Sequence, residues 1–155
     1  VVEKWRYRAM QNIINRFDGP YTFLSNFSPA EVVFEGLAYP TVENAYQAAK
    51  TLDLELRIQF TRCTPSYAKR LGRQVLLRDD WENMKDQIMF GLLKQKFAPG
   101  TRMAQLLLKT DTAYLCEGNV WHDNHFGACS CDRCIGVTHL NILGQMLMKI
   151  REDLQ

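Results

Sequence analysis

Glu43, Gln47 and Lys50 recur at intervals of four and three residues within YPTVENAYQAAK, a spacing that stacks a carboxylate, an amide and an amine along one face of a helix. A carboxyl group can deliver or accept a proton, and an amine can attack an imine carbon or neutralise an anion. Val42, Ala45, Ala49 and Leu52 fall on nearly the opposite face. Thr41, directly after Pro40, is a favoured N-cap type, and Glu43 in the first turn suits the helix dipole. Taken alone, such a stripe reads as a solvated surface with a weak Glu–Lys attraction, and only its surroundings turn it into chemistry.

Other polar residues are left without a structural explanation. Asn26 sits in the aromatic-rich segment FDGPYTFLSNFSP, Arg73 follows Gly72, Trp81 opens a long helical pattern, and Asp123 lies in a late loop. They come from distant parts of the chain, as the members of an active site usually do. The basic run Lys69, Arg70, Arg73 has the chemistry to hold phosphate, although the net charge of +2, from 19 basic and 17 acidic residues, gives no global pull toward nucleic acid.

The five cysteines are an odd number, and Cys129, Cys131 and Cys134 crowd into CSCDRC, a spacing that suits reduced thiols better than disulfides. A cytoplasmic, soluble protein is expected: no run approaches a membrane span, and VVEKWRYRAM has no signal-peptide pattern. The chain begins with Val, which fits a trimmed chain or a domain of a longer protein. With His122 and His125 close by, the three thiols allow a structural zinc site of three sulfurs and one imidazole. The alternative is a set of ordinary loop cysteines, since C-x-C-x-x-C lacks the paired knuckles of a zinc ribbon. No cofactor is required by this reading. Cys63 and Cys116 read as buried small apolar residues.

The elements that must position these residues form a single α+β domain, predominantly helical, with a small β element; 155 residues at 46% hydrophobic content fill one core. Residues 1–15 can be a flanking segment. FDGPYTFLSNFSP reads as an ordered loop, EVVFEGLAY as a hairpin turning at Glu35-Gly36, and Thr41 as the start of the first helix. A helix over 54–62 follows. Thr64-Pro65 then starts a short helix that Gly72 ends. From Asp80 as cap, Trp81, Met84, Ile88, Leu92 and Met89, Leu93, Phe97 recur at helical spacing up to Pro99-Gly100. Met103, Leu106 and Leu107 mark another short helix, AYLCE a strand, and 119–137 a loop. The last helix, over 141–152, starts at Asn141 as cap and buries Ile142, Leu143, Met146, Leu147 and Ile150. Loops 17–30 and 118–138 are expected to face a cleft.

In this order, FDGPYTFLSNFSP, YPTVENAYQAAK, LGR with Val75, WENMKDQIM, KF, D-N-H-F-G and NILGQMLMKIR resemble the NADAR (YbiA-like) family along almost the whole chain. The resemblance implies an N-glycosidase that hydrolyses the bond from a ribosyl carbon to an amine nitrogen. Two substrate types go with it: ADP-ribose on the guanine amino group, in nucleic acid or nucleotides, and phosphorylated ribosylamino-pyrimidine intermediates of riboflavin synthesis. A rival reading is a module that binds ADP-ribose or modified nucleic acid without cleaving it. A zinc-stabilised interaction domain is a third.

By the same resemblance, Glu43, Trp81 and Asp123 stand where the family's active-site Glu, Trp and Asp stand, and Lys50 at its helical Lys. Glu43 and Asp123 can divide protonation of the nitrogen from stabilisation of charge at the anomeric carbon. Lys50, if neutral, can exchange into the ring-opened imine; otherwise it binds phosphate or pairs with Glu43. Trp81 suits stacking on the base or ribose, Phe23, Asn26 and Phe27 a base pocket, and Arg73 a bidentate phosphate contact; each also suits ordinary packing or solvation. Two departures bear on substrate choice. The family's D-x-x-W-G here carries Phe126, an aromatic without an indole donor, and His139 replaces a Gly two residues before Asn141.

Overall fold

The structure is a computed structural model that describes residues 12–155. Residues 1–11 of the expected flanking segment lie outside the described residues, whereas Ile13–Ile14 form strand β1, with Ile14 buried. In chain order there follow a 3-10 turn (Gly19–Leu24), the hairpin β2 (Val32–Phe34) and β3 (Leu37–Tyr39), and helices α1 (Val42–Ala49), α2 (Leu54–Phe60), α3 (Pro65–Leu71), α4 (Trp81–Lys96) and α5 (Arg102–Leu108). Then come β4 (Tyr114–Leu115), β5 (Gly118–Asn119), β6 (Ala128–Cys129), a second 3-10 turn (Asp132–Cys134) and α6 (Ile142–Leu154).

Among the described residues the β element is three two-stranded ladders. β1 pairs in parallel with β4 (Ile13 with Tyr114, Ile14 with Leu115), β2 is antiparallel to β3 (Val32 with Tyr39), and β5 is parallel to β6 (Gly118 with Ala128, Asn119 with Cys129). The hairpin turns at Glu35 and Gly36, whose φ angles of 44° and 84° provide the twist that a two-residue turn requires. The third ladder gives the 119–137 loop a backbone frame that its irregular composition does not announce.

Helix α1 is the centre of the molecule. Thr41 caps it as expected, accepting from the Asn44 N–H at 3.0 Å, and every residue from Val42 to Ala49 is buried. It packs most extensively on α3 and α4, and also against α2 and the hairpin. The Asn44 amide donates to the carbonyls of Phe60 and Cys63, both at 2.8 Å, tying α1 to the end of α2. The polar stripe is therefore not a solvated surface: Glu43 and Gln47 are turned inward. Thr64 caps α3 through the Tyr67 N–H.

Several local expectations are corrected. Leu52 lies past the end of α1 and is 69% exposed, so it takes no part in the apolar face. Asp80 precedes α4 but makes no cap bond, because Arg78 holds its carboxylate through two guanidinium nitrogens, at 2.5 and 3.0 Å. Asn141 occupies the N-cap position of α6 in a left-handed conformation, φ 48°. Its side chain instead accepts from the Glu117 N–H and donates to the Leu115 carbonyl, fastening β4 to the helix start. Cys63 and Cys116 are half-buried. Among the described residues no helix is long and apolar enough to cross a membrane.

Candidate active site

A cleft of about 1150 Å³ opens between the segment 15–27, helices α1 and α3, and the loop after β4. Glu43 and Asp123 both line it. They reach it in different ways.

Glu43 comes from the first turn of the buried helix. The Gln47 amide one turn on donates to its Oε1 at 2.9 Å, and its own N–H is bonded to the Asn26 carbonyl. Burial raises its pKa, opposed by the Gln47 bond and by Lys69 and Lys50, and reinforced by Asp123. Its carboxyl group thus keeps a proton above the usual carboxylate range.

Asp123 is held from below. Its Oδ1 accepts from the N–H groups of His125 and Phe126, at 3.1 and 2.9 Å. Asn119 brackets its backbone, accepting from the Asp123 N–H and donating to its carbonyl. The tight weave explains Gly127: a Cβ there would lie 2.3 Å from the Glu117 carbonyl and 2.6 Å from the Asn119 amide. Two carboxyl groups in unlike surroundings, one buried and one fixed by backbone donors, are the arrangement that separates a proton donor from a charged partner.

The other candidates are distributed as follows. Asn26 lines the cleft, its Nδ2 against the Met89 sulfur at 3.5 Å and its Oδ1 buried with no hydrogen-bond partner among the described residues, available to a donor on a ligand. Phe27, Arg73 and Phe126 also form its wall. Phe23 does not: it lies in the 3-10 turn, packed on the core. Trp81 is 5% exposed and stands behind the wall, its ring 5.1 Å from that of Tyr46. In this arrangement its route to a ligand is through Tyr46, which faces the cleft and meets Phe126 edge-on at 5.4 Å. Lys50, the last residue of the polar stripe, places its amine 5.8 Å from the Tyr46 ring centre, at the margin rather than in the wall. Burial lowers its pKa, opposed by Glu43 and assisted by Arg73 and Lys69.

Sequence reasoning missed three residues of this site and saw a fourth only as a charge. Tyr46, three residues after Glu43, shares its helix face; burial and the surrounding carboxylates hold its hydroxyl protonated. Glu117 ends the strand-like AYLCE and so read as a strand edge, yet it lines the cleft, and burial beside Asp123 and Glu43 pushes its carboxyl up to about 8. Trp121 carries no periodic signal. Lys69 was visible as part of a basic run, but its position was not: its amine lies 4.8 Å from the Trp121 ring and 5.7 Å from that of Phe27, bridging the two aromatics.

The cysteines also converge. Donor atoms of His122, Cys129, Cys131 and Cys134 all lie within 4.8 Å of one another, close enough to share one metal ion. His125 takes no part, since its Nε2 is 2.6 Å from Asp86 Oδ1.

An α+β domain that sets a buried carboxyl and a backbone-held carboxylate in one aromatic, cation-rimmed cleft has the makings of a glycosidase, and known proteins make the class specific. The chain matches the NADAR domain family over residues 14–155 and belongs to it. It is 34% identical over 156 aligned positions to "N-glycosidase YbiA" of Escherichia coli strain K12, covering 94% of this chain and 91% of that one. The NMR structure of the same E. coli protein superposes with a TM-score of 0.76 over 94% of this chain and 86% of the other, which bears out the α+β fold. The "Riboflavin biosynthesis protein VVA0006" of Vibrio vulnificus is 33% identical over 141 positions, 89% of this chain and 37% of that protein. The chain is thereby an enzyme of the N-glycosidase class.

Proposed function

We propose that this N-glycosidase removes ADP-ribose from the amino group of guanine in nucleic acid or nucleotides. The supporting observation is the cleft itself, in which Glu43 and Asp123 face one space large enough for a dinucleotide-sized ligand. Its rim carries Lys69, Arg70 and Arg73 on or just after α3, where a pyrophosphate finds several cations. Phe27 and Trp121 supply exposed aromatic faces for a base.

In this reading Glu43, whose pKa burial raises, donates its proton to the ribose ring oxygen as the anomeric C–O bond breaks and the nitrogen lone pair forms the C=N bond of an imine. Asp123, anchored through Oδ1, keeps its other oxygen for the positive charge that develops at the anomeric carbon. Once the ring opens, the sugar carbon is an imine. Lys50 attacks it, the amine leaves with a proton, and water hydrolyses the lysine imine to the free sugar aldehyde and the amine. The lowered pKa of Lys50 supports this covalent route. The chemistry calls for side chains and water. A metal enters only as a support for the loop of Asp123, and clustered reduced thiols fit a cytoplasmic setting.

A second substrate has a specific observation in its favour, the kinship with a riboflavin-biosynthesis protein: a phosphorylated ribosylamino-pyrimidine presents the same bond with a single phosphate. The deciding experiment offers a guanine-ADP-ribosylated oligonucleotide and a phosphorylated ribosylamino-pyrimidine side by side, with release followed by mass spectrometry. Release of ADP-ribose from the first alone, abolished in Glu43→Gln, is the expected result. Release of ribose phosphate from the second alone moves the assignment to metabolite clearance. Binding without release from either makes the domain a reader rather than an enzyme.

A further inference from the structure

Cys129 ends strand β6, Cys131 precedes the second 3-10 turn and Cys134 closes that turn. The Cys134 N–H bonds back to the Cys131 carbonyl at 3.0 Å. This makes Cys131-x-x-Cys134 a compact knuckle that turns both sulfurs to one side, toward Cys129 and His122. Nδ1 of His122 lies 3.2 Å from the sulfur of Cys131 and 3.6 Å from that of Cys134, and the His122 N–H points at Cys129 Sγ at 3.3 Å. A tetrahedral zinc, with bonds of about 2.3 Å to sulfur and about 2.0 Å to nitrogen, has ligand-to-ligand edges of about 3.5 to 3.8 Å. The four donors already span no more than 4.8 Å.

The backbone at His122 has φ 70°, a conformation rare for a side chain of this kind, and it is the turn that carries the imidazole to the thiols. Asn124 supplies the outer support usual at thiolate metal centres. Its Nδ2 donates to Cys134 Sγ at 3.2 Å, while its Oδ1 accepts from the Cys129 N–H at 3.0 Å.

We propose that His122, Cys129, Cys131 and Cys134 bind one zinc ion in a closed, structural site whose purpose is to fix Asp123, the residue between ligand His122 and supporting Asn124. Four protein ligands leave no open position for water or substrate, so the ion acts on shape and not as a Lewis acid. Binding releases the three thiol protons and moves the imidazole proton to Nε2. That nitrogen now receives Arg133 Nη1 at 3.3 Å; with the metal in place it becomes a donor, and the exposed Arg133 turns away while still balancing the single negative charge of a three-thiolate zinc centre. The site also accounts for a segment in which β5 and β6 share only two residue pairs and yet hold a cleft residue in register.

The test is elemental analysis of protein produced in zinc-containing medium and purified with neither added zinc nor chelator. One zinc per chain is expected in the wild type and in His125→Ala, and a loss of most of it in His122→Ala and Cys131→Ser. A wild-type content near zero overturns the proposal, as does full retention by both His122→Ala and Cys131→Ser. Since those variants can fail to fold, cobalt substitution of the wild type gives an independent reading: the intense visible bands of tetrahedral cobalt with thiolate charge transfer are expected, and their absence rules the site out. Stripping the metal should then speed amide hydrogen exchange in 119–137 while leaving α1 and α4 protected. Unchanged exchange in that loop overturns the positioning role, and neither result depends on which ribosylated substrate the enzyme uses.

Discussion

The Gln47 amide is lodged between Glu43 and Gly72: its Nε2 donates to Glu43 at 2.9 Å, and its Oε1 fills the place that a Cβ at position 72 would take, 1.9 Å away. The end of α3 thus sets the orientation of a side chain on α1, and through it the cleft carboxyl. Gly72→Ala must displace the amide, at a cost of about 1 to 3 kcal/mol for an overpacked interior. The expected outcome is a lower melting temperature with reduced turnover. Gln47→Ala, added to Gly72→Ala, should recover part of the stability but not the turnover, a coupling that a double-mutant cycle by thermal melting reads directly.

Glu43→Gln preserves shape and removes the acid. Turnover should fall about 10²- to 10⁴-fold with a much smaller change in KM, the pattern of a group that acts only in the transition state. The pH profile provides the sign. Because burial raises the Glu43 pKa, the acid form persists above the usual carboxyl range, and kcat in the wild type falls as pH rises through that raised value. Residual activity of Glu43→Gln should lack this alkaline fall; a variant retaining it would assign the titration elsewhere.

How much of this was legible in the chain depended on what each residue's role needed. The helices, the Glu35-Gly36 hairpin and the Thr41 and Thr64 caps follow from periodicity and local chemistry, and they stand as read. The polar stripe was visible as a stripe, but whether it faced water or a cleft depended on α3 and α4, which cover it through contacts remote in sequence. Trp81 read as a stacking residue only through the family resemblance, since its helix position by itself suits the core. Only the packing shows Tyr46 between it and the cleft. Glu117 and Trp121 could not be found, since a lone Glu at a strand end and an exposed Trp in a loop give no pattern until the fold around the two-pair ladder of β5 and β6 brings them to the cleft. The cysteines announced a cluster, and the geometry at φ 70° chose His122 over His125.

Glu117 makes a prediction about stability. Its carboxyl rises from an ordinary 4.5 to about 8 in the folded protein, through burial and then through Asp123 and Glu43. Between those two values the native state holds a proton that the unfolded chain has released, so stability is greatest below the lower value and declines as pH rises through the higher one. Glu117→Gln removes that dependence. The difference in melting temperature between Glu117→Gln and wild type should be small at pH 5 and grow in favour of the variant by pH 9; a difference independent of pH would show that the carboxyl is not the group responsible.

Lys50 yields the most direct chemical readout. Its amine is held against Tyr46, its pKa is lowered by burial and by the nearby Arg73 and Lys69, and Glu43 opposes the shift. A lysine imine with a ring-opened sugar is reducible to a stable secondary amine. Incubation with the ADP-ribosylated oligonucleotide in the presence of cyanoborohydride should therefore add the ADP-ribosyl mass to the protein, and peptide mapping should place it at Lys50. Lys50→Arg keeps the charge and any phosphate contact but cannot form the imine under these conditions, so it should show neither adduct nor normal turnover. If Lys50→Arg instead turns over substrate at close to the wild-type rate, the amine serves as a cation beside Glu43, and the two carboxyl groups carry the hydrolysis by themselves.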